Sequence, residues 1–302
     1  MEKPSYLTLY EKGILKDRVD KALDMMKQCR LCPRNCAVDR LSDEIGYCQT
    51  GRRARVASYS PHFGEESPLV GRFGSGTIFF SFCNLRCSFC QNFEISHSGE
   101  GMETGPEDLA AMMIALAKRG CHNINFVTPT HVIPQILESL IPAIENGLSI
   151  PLVYNSSGYD SVDSLRMLEG IFDIYMPDFK FWNDEWAARY CKARDYRGKA
   201  TLAITEMYRQ VGDLTIGKEG IATRGLLVRH LVMPGGLSDT KKIMEFLANE
   251  ISTNTYVNVM DQYHPCGYAL TDECIGRTIF PEEFRNAVKI AREAGIRRLD
   301  SM

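Results

Sequence analysis

Largely apolar runs and longer amphipathic segments alternate along the chain from residue 77 onward. The short runs are typical of buried strands, and the longer segments, with apolar residues three and four positions apart, are typical of helices that pack on a sheet. The predicted strands are residues 77–80, 123–127, 151–154, 171–176, 226–232 and 256–260. The predicted helices are residues 104–120, 131–145, 162–168, 184–191, 199–211, 239–250 and a last one that begins at Pro281.

This alternation predicts an α/β fold in which parallel strands are joined by helices. Six strands connected by right-handed crossovers make an incomplete (β/α)6 barrel, and the ends of its strands converge at one face. Two prolines, Pro134 and Pro142, are expected to interrupt the second helix, because proline lacks the backbone N–H that a helix interior needs.

The first 76 residues show a different pattern and are predicted to form a cysteine-rich extension to the barrel of residues 77–302. Residues 17–28 form a predicted helix with apolar residues on one face. Residues 51–76 are rich in glycine and are expected to be an approach segment to the first strand rather than a domain.

The extension carries a tight group of four cysteines. The stretch Cys-Arg-Leu-Cys-Pro-Arg-Asn-Cys and a later Gly-Tyr-Cys place Cys29, Cys32, Cys36 and Cys48 in the spacing C-x2-C-x3-C-x11-C. Four thiolates in so short a span can close a tetrahedral zinc site or hold a four-iron cluster. Because four cysteines leave no open coordination position, a closed structural site such as zinc is favoured. A second iron–sulfur cluster that relays electrons is the alternative.

Composition narrows the class of protein. The chain has 302 residues, 44% of them hydrophobic, so it can bury a large core. The sequence has eleven cysteines, and its N-terminus has no apolar segment of the signal-peptide type. Together these features predict a cytoplasmic protein whose cysteines bind metal rather than form disulfides. The net charge of −3 provides no basic surface for nucleic acid and so argues against a zinc-dependent nucleic-acid module. No apolar run is long enough to span a bilayer. The scattered cysteines, expected to be buried or idle thiols, are Cys121, Cys191, Cys266 and Cys274.

Three more cysteines follow the first predicted strand directly. The stretch Ser-Phe-Cys-Asn-Leu-Arg-Cys-Ser-Phe-Cys-Gln-Asn places Cys83, Cys87 and Cys90 in the spacing C-x3-C-x2-C. Ferredoxins usually provide a cysteine for every iron of a 4Fe-4S cluster. Three closely spaced cysteines would leave one iron open to a ligand that is not protein, and an open position separates a reactive metal site from a structural one. The alternative interpretation is three buried or zinc-bound cysteines.

This spacing, with Phe89 just before the last cysteine, resembles the signature of the radical S-adenosylmethionine (radical SAM) superfamily. The resemblance implies the incomplete barrel, a 4Fe-4S cluster on the three cysteines and SAM on the open iron. It implies reductive cleavage of SAM to methionine and a 5′-deoxyadenosyl radical, which abstracts hydrogen from a substrate. The string Cys-Asn-Leu-Arg-Cys-Ser-Phe-Cys-Gln-Asn is most similar to activase-like proteins in the branch of pyruvate formate-lyase activating enzyme, and Cys-x-Leu-Cys-Pro-Arg resembles their N-terminal segment.

Polar residues end five of the predicted strands, and such residues converge at one face of a parallel barrel. The resemblance implies that these polar residues bind SAM. Thr128 and Thr130 stand where many relatives have a Gly-Gly-Glu motif. The residues expected to bind SAM are Phe89, Thr128, Thr130, His131, Asn155, Ser157 and Arg229. Asp178 and Lys180, which follow the fourth strand, are the candidate catalytic pair, and a plain salt bridge is the alternative.

These features predict an enzyme, a radical SAM oxidoreductase of the activating-enzyme type. The resemblance implies an electron donor such as flavodoxin or ferredoxin and suggests a protein substrate, for instance a glycyl-radical loop. No nucleic-acid or membrane partner is expected. Unlike many such activases, the chain has no ferredoxin-like cysteine insert after Cys90. The competing class is a non-catalytic electron-transfer or metal-binding protein, which would use both cysteine groups and need no SAM.

Overall fold

One sheet organises the fold, and the six predicted strands run parallel in it. The structure, a computed structural model, describes residues 3–300. The strands in chain order are β1 (Ala54–His62), β2 (Ser75–Phe80), β3 (Met102–Thr104), β4 (Ile124–Val127), β5 (Leu152–Ser156), β6 (Ile174–Pro177), β7 (Thr215–Ile216), β8 (Ala222–Leu231), β9 (Tyr256–Met260) and β10 (Arg298–Leu299). The helices are α1 (Ser5–Glu11), α2 (Ile14–Asp24), α3 (Ser67–Val70), α4 (Pro106–Lys118), α5 (Ile133–Glu145), α6 (Val162–Met167), α7 (Asp184–Cys191), α8 (Tyr196–Val211), α9 (Thr240–Phe246) and α10 (Pro281–Glu293).

The parallel strands β2, β4, β5, β6, β8 and β9 are neighbours in that order, and helices lie in the connections between them. Beyond β9 the sheet continues with parallel β10, and beyond β2 it continues with antiparallel β1 and then β3. Within residues 3–300 the two ends of this order, β10 and β3, do not pair, so the barrel stays open. The predicted α/β fold with an incomplete barrel is therefore confirmed. In the same range, no helix is both long and apolar enough to cross a membrane.

The strand β1 lies where the sequence predicted only an approach segment. Only Ala54 and Val56 of this strand are buried, and the residues that follow are exposed or half-buried. The alternation of apolar and polar residues along β1 is therefore short. Two alternating residues are too few for a strand to be predicted. In the fold β1 covers the edge of β2 by antiparallel pairing, with Tyr59 opposite Ile78. The division of the chain at residue 76 stays a prediction, but the two sides of that division share one sheet.

Helices α2 and α5 differ from the predictions. Helix α2 ends at Asp24 rather than at residue 28, because the chain tightens there into turns that bring Cys29 to pair with Val38 (N–O 2.9 Å). Helix α5 is not interrupted by its prolines. Pro134 lies in the first turn, where no backbone N–H is needed, and Pro142 lies inside a continuous helix.

The inner face of the sheet changes from apolar to polar along the strands. The apolar cluster on this face consists of Val153, Ile174, Met176, Ala222, Leu227 and Tyr256 from the strands, together with Leu69 of α3 and Leu214. Because side chains alternate between the two faces of a strand, every second residue further along points to this same face. Asn155, Asp178 and Arg229 are such residues, and they follow the apolar cluster at the carboxyl ends of β5, β6 and β8. The inner face of the sheet is therefore apolar along the strands and polar at their carboxyl ends.

Candidate active site

The loop that follows β2 carries the three cysteines of the C-x3-C-x2-C spacing. Two of its residues, Phe82 (φ 66°) and Arg86 (φ 58°), adopt the left-handed backbone conformation that residues other than glycine rarely take. These turns fold the loop back on itself, and Leu85 N donates to Cys83 Sγ over 3.3 Å. All three thiols of this cluster loop, residues 81–92, consequently line the same cavity.

This cavity has a volume of about 340 Å³ and lies at the carboxyl ends of the parallel strands. Its size is in the range of small-molecule sites. The predicted residues that line it are Cys83, Cys87, Cys90, Phe89, Thr128, Asn155, Ser157, Asp178, Lys180 and Arg229. The structure therefore brings together side chains from the cluster loop and from the ends of β4, β5, β6 and β8.

An ion-pair network centred on Asp178 forms one side of the cavity. Asp178 Oδ2 lies 2.5 Å from Lys180 Nζ, and Asp178 Oδ1 lies 2.9 Å from Arg229 Nε. Arg229 also donates to Asn155 Oδ1 over 2.7 Å and to Glu65 Oε2 over 3.5 Å. The ionised side chains are at most 17% exposed, so solvent screens these charges weakly.

Burial and charge act in opposite directions on the ionisation of this network. Burial alone would raise the pKa of Asp178, but the positive charges of Arg229 and Lys180 outweigh it, and this pKa lies below its ordinary value. Burial would lower the pKa of Lys180, but the attraction of Asp178 outweighs it and raises the pKa. Both groups are thus charged at neutral pH. The structure shows the salt bridge between them, and a catalytic role of the pair stays a prediction.

Glu65 and Gln262 also line the cavity and were not among the predicted site residues. Glu65 belongs to the turn between β1 and α3, so its position followed from a strand that the sequence did not predict. Gln262 follows β9 in a stretch of polar residues, and polarity after a strand was the pattern that could have indicated it.

Thr130 and His131 do not line this cavity. At the end of β4, Thr128 adopts φ 61°, so the chain leaves the alternation of the strand there. Thr130 Oγ1 donates to the buried Asp160 Oδ1 over 2.7 Å. His131 Nε2 donates to Ser81 O over 2.9 Å, and the residue lines the cavity of the four-cysteine segment instead. A role of either residue in SAM binding stays a prediction without support from this geometry.

The four cysteines of the N-terminal extension line a second cavity, of about 10 Å³. All four are free thiols; Cys29 and Cys48 are buried, and Cys32 and Cys36 are half-buried. Burial raises the pKa of the Cys32 thiol to about 12. Because a metal ligand must be the thiolate, a metal bound here has to displace that proton.

Arg34, from the loop between Cys32 and Cys36, fastens this segment to the barrel. Its guanidinium lies 3.9 Å from the centre of the Tyr47 ring. It also donates to four backbone carbonyls, those of Asn84 (2.7 Å), Leu85 (3.5 Å), Cys191 (3.2 Å) and Lys192. The first two belong to the cluster loop and the other two to the end of α7. One side chain therefore joins the four-cysteine segment, the cluster loop and α7.

Replacing Arg34 by alanine is expected to lower the free energy of unfolding by about 2–3 kcal/mol, because hydrogen bonds to charged groups contribute about that much and several are lost. The measurement is urea denaturation of the anaerobically reconstituted protein. The matched control is Arg30→Ala, since Arg30 is an exposed arginine of the same segment and its removal should change stability by less than about 0.5 kcal/mol. Equal effects of the two substitutions would contradict the role of Arg34 in joining these segments.

Cys191, expected to be a buried or idle thiol, is buried and lies beside the cluster loop. It is fully buried at the end of α7, and its Sγ is 3.2 Å from Cys87 Sγ. Ser88 N donates to Tyr190 O over 2.8 Å and holds the same two segments together. Cys191 is not among the residues that line the cavity, so it contacts Cys87 on the side that faces away from the cavity.

Comparison with known proteins identifies the family. Residues 77–247, more than half of the chain, match the radical SAM superfamily. The chain is 33% identical over 294 residues to the uncharacterized protein MJ0674 of Methanocaldococcus jannaschii, which covers 93% of this chain and 79% of that protein. It is 25% identical over 276 residues to the uncharacterized protein MJ0808 of the same organism, with 84% and 75% covered. The chain belongs to the radical SAM superfamily, and membership implies an enzyme with a 4Fe-4S cluster and SAM.

Comparison with solved structures gives matches that include the following two. HydG, a maturase of the FeFe-hydrogenase, matches with a TM-score of 0.51 and 13% identity over 74% of this chain, which spans 50% of the length of HydG. Methylornithine synthase (PylB) matches with a TM-score of 0.47 and 14% identity over 95% of this chain and 71% of that one. At such identity the similarity to HydG shows the fold alone, and it agrees with the open barrel.

Proposed function

We propose that Cys83, Cys87 and Cys90 hold the 4Fe-4S cluster and that the adjoining cavity binds SAM for reductive cleavage. The observation that supports this is the convergence of the three thiols and the polar strand ends on one cavity of about 340 Å³. When both are bound, the reduced cluster supplies one electron to SAM, which yields methionine and a 5′-deoxyadenosyl radical that takes a hydrogen atom from the substrate.

The side chains around the cavity fit a ligand with an amino-acid end and a planar aromatic ring. Ser157 Oγ is buried and has no hydrogen-bond partner among the described residues, so it is free to bond a bound molecule. Lys180 has donors beyond the one that Asp178 accepts and can bind a carboxylate. Phe89 packs against Phe181, with ring centres 5.8 Å apart. This contact holds the Phe89 ring in place as an apolar part of the cavity lining.

We extend the proposal to the substrate and the partners. The similarity of the cluster loop to activase-like proteins supports a protein substrate from which hydrogen is abstracted. Flavodoxin or ferredoxin would supply the electron, in the cytoplasm. These finer statements depend on the sequence resemblance alone.

The test is anaerobic reconstitution with iron and sulfide, followed by dithionite and SAM. Formation of 5′-deoxyadenosine and methionine in equal amounts, measured by chromatography, is the expected result. Reconstituted protein that binds its cluster yet forms neither product contradicts the proposed function.

The contact between Cys87 and Cys191 favours a second candidate function. If Cys191 became a fourth ligand, the cluster would have no open iron, and the protein would carry electrons without cleaving SAM. Cys191→Ala separates the two functions. The enzyme should keep its cluster and form 5′-deoxyadenosine near the wild-type rate, because Cys191 lies outside the cavity. A fully ligated electron carrier should lose a ligand and change its electron paramagnetic resonance spectrum.

A further inference from the structure

The contact between Cys87 and Cys191 joins an accessible thiol to an inaccessible one. Their Sγ atoms lie 3.2 Å apart. Cys87 belongs to the cluster loop and lines the cavity of about 340 Å³, so a small molecule that enters this cavity can reach it. Cys191 is fully buried at the end of α7 and is not part of the cavity lining. A reagent in the cavity therefore meets Cys87 first, and Cys191 lies directly behind it.

Backbone hydrogen bonds hold both thiols in place. Ser88, the residue after Cys87, donates its N–H to the carbonyl of Tyr190 over 2.8 Å. The carbonyl of Cys191 accepts from the guanidinium of Arg34 over 3.2 Å. A disulfide places its two sulfurs about 2.0 Å apart, so this pair is within about 1.2 Å of bonding distance. The two thiols are thus kept together by segments that are themselves fixed.

An accessible thiol in contact with a buried one can be oxidised in two steps. A hydroperoxide transfers an oxygen atom to the first thiol, which becomes a sulfenic acid, and the peroxide leaves as water or an alcohol. The second thiol then attacks this sulfur: the S–S bond forms, the S–O bond breaks, and the oxygen leaves as water together with the proton of the second thiol. In total the two thiols give two electrons to the peroxide.

The first of these steps should be slow at neutral pH. The hydrogen bond with Cys191 and burial raise the pKa of the Cys87 thiol. Because the thiolate is the reactive form, little of Cys87 is ready to react at any moment. The second step has no such limit from distance, since the attacking thiol is already in contact.

We propose that Cys87 and Cys191 form a reversible disulfide when a hydroperoxide enters the cavity, and that this bond keeps Cys87 from binding a cluster until a dithiol reduces it. The second part rests on the proposed function, because it takes Cys87 as a cluster ligand. A sulfur that is bonded to another sulfur is not the thiolate that a metal requires. The bond also protects Cys87, since a sulfenic acid without a partner oxidises further to a sulfinic acid, which dithiols do not reduce.

The test of the first part is a peptide map of the full chain, kept free of iron with a chelator and treated with hydrogen peroxide. Free thiols are alkylated, and the chain is digested with trypsin and chymotrypsin. Cleavage after Arg86 and Phe89 separates Cys87 from the other two cysteines of the cluster loop. Mass spectrometry should find Cys87 linked to Cys191, with the loss of two hydrogen atoms, and dithiothreitol should split the link. A Cys87 that stays free, gains oxygen atoms or is linked to a different cysteine overturns the proposal.

The second part is tested by iron uptake after the same oxidation. The oxidised chain should bind less iron than the reduced chain, and dithiothreitol should restore the uptake. Cys191→Ala should instead end with two added oxygen atoms on Cys87 and recover less iron after dithiothreitol, because no partner intercepts the sulfenic acid. The matched control is Cys121→Ala, another buried cysteine, which should behave like the unmodified chain. Equal iron uptake by the oxidised and reduced chains, or equal recovery in the two variants, overturns this part.

The peptide map of the unmodified chain decides alone if Cys191→Ala fails to fold. It also separates this proposal from the proposed function. A chain that forms the Cys87–Cys191 disulfide, yet makes no 5′-deoxyadenosine after reduction and reconstitution, supports the redox pair and contradicts the proposed function. Formation of 5′-deoxyadenosine by a chain that never forms the disulfide has the opposite meaning.

Discussion

Replacing Cys87 by alanine is expected to abolish 5′-deoxyadenosine formation, a loss of at least about a hundredfold. Cys87 is the central of three thiols that the cluster loop directs into one cavity. Without it only two thiolates remain for a cluster that depends on three. Loss of an outer-shell partner of a metal ligand already costs about 10–100-fold, so loss of a ligand should cost more. The measurements are iron content after reconstitution and product formed with dithionite and SAM.

The matched control is Cys121→Ala. Cys121 is also a buried free cysteine, but its thiol lies near Phe73 O (3.9 Å), outside both cysteine groups. This variant should keep its iron and its activity. A Cys87→Ala protein that forms 5′-deoxyadenosine as fast as this control would show that the cluster is held elsewhere.

Replacing Asp178 by asparagine is expected to lower the free energy of unfolding by about 3–5 kcal/mol. The substitution preserves size but removes the carboxylate that neutralises the buried Lys180, whereas Arg229 keeps its longer ion pair with Glu65 (3.5 Å). Breaking a buried pair by removing one partner costs about this much, because the remaining charge is uncompensated. Urea denaturation of the reconstituted protein measures the change. SAM binding should weaken as well, since Arg229 and Lys180 lose the group that positions them.

The same substitution should change the response to acid. The pKa of Asp178 is lower in the folded than in the unfolded chain, where it is about 3.9. Its stabilising contribution is therefore complete above that value and is lost as the pH falls through the lower, folded-state pKa. The Asp178→Asn variant has no such proton to bind and should lack this part of the acid dependence. In the control, Asp163→Asn, the side chain is 87% exposed and both effects should be small.

The parallel sheet was predictable because each strand carries its own local pattern. Six apolar runs separated by helical periods give six strands, and parallel topology then requires their carboxyl ends to meet. The structure accordingly brings Asn155, Asp178 and Arg229 together at that edge of the sheet. β1 was not predicted, because its alternation involves two residues and its pairing with β2 depends on the folded sheet.

Side-chain direction was less predictable where the backbone departs from regular geometry. Thr130 and His131 follow Thr128, whose positive φ turns the chain away from the strand. From that point the alternation no longer says which way a residue faces. Cys191 was missed for another reason: it is distant from Cys87 in sequence, and only the packing of α7 against the cluster loop brings the two thiols together.

The pairing of β1 with β2 has a practical consequence for anyone dissecting this protein. The family match begins at residue 77, which lies inside β2, so a fragment cut at that border keeps a shortened strand and loses its neighbour. The bare backbone amides and carbonyls beside Ile78 and Phe80 would then be a template for another copy of the fragment. Such a truncated barrel should aggregate, and its insolubility would say nothing about its chemistry.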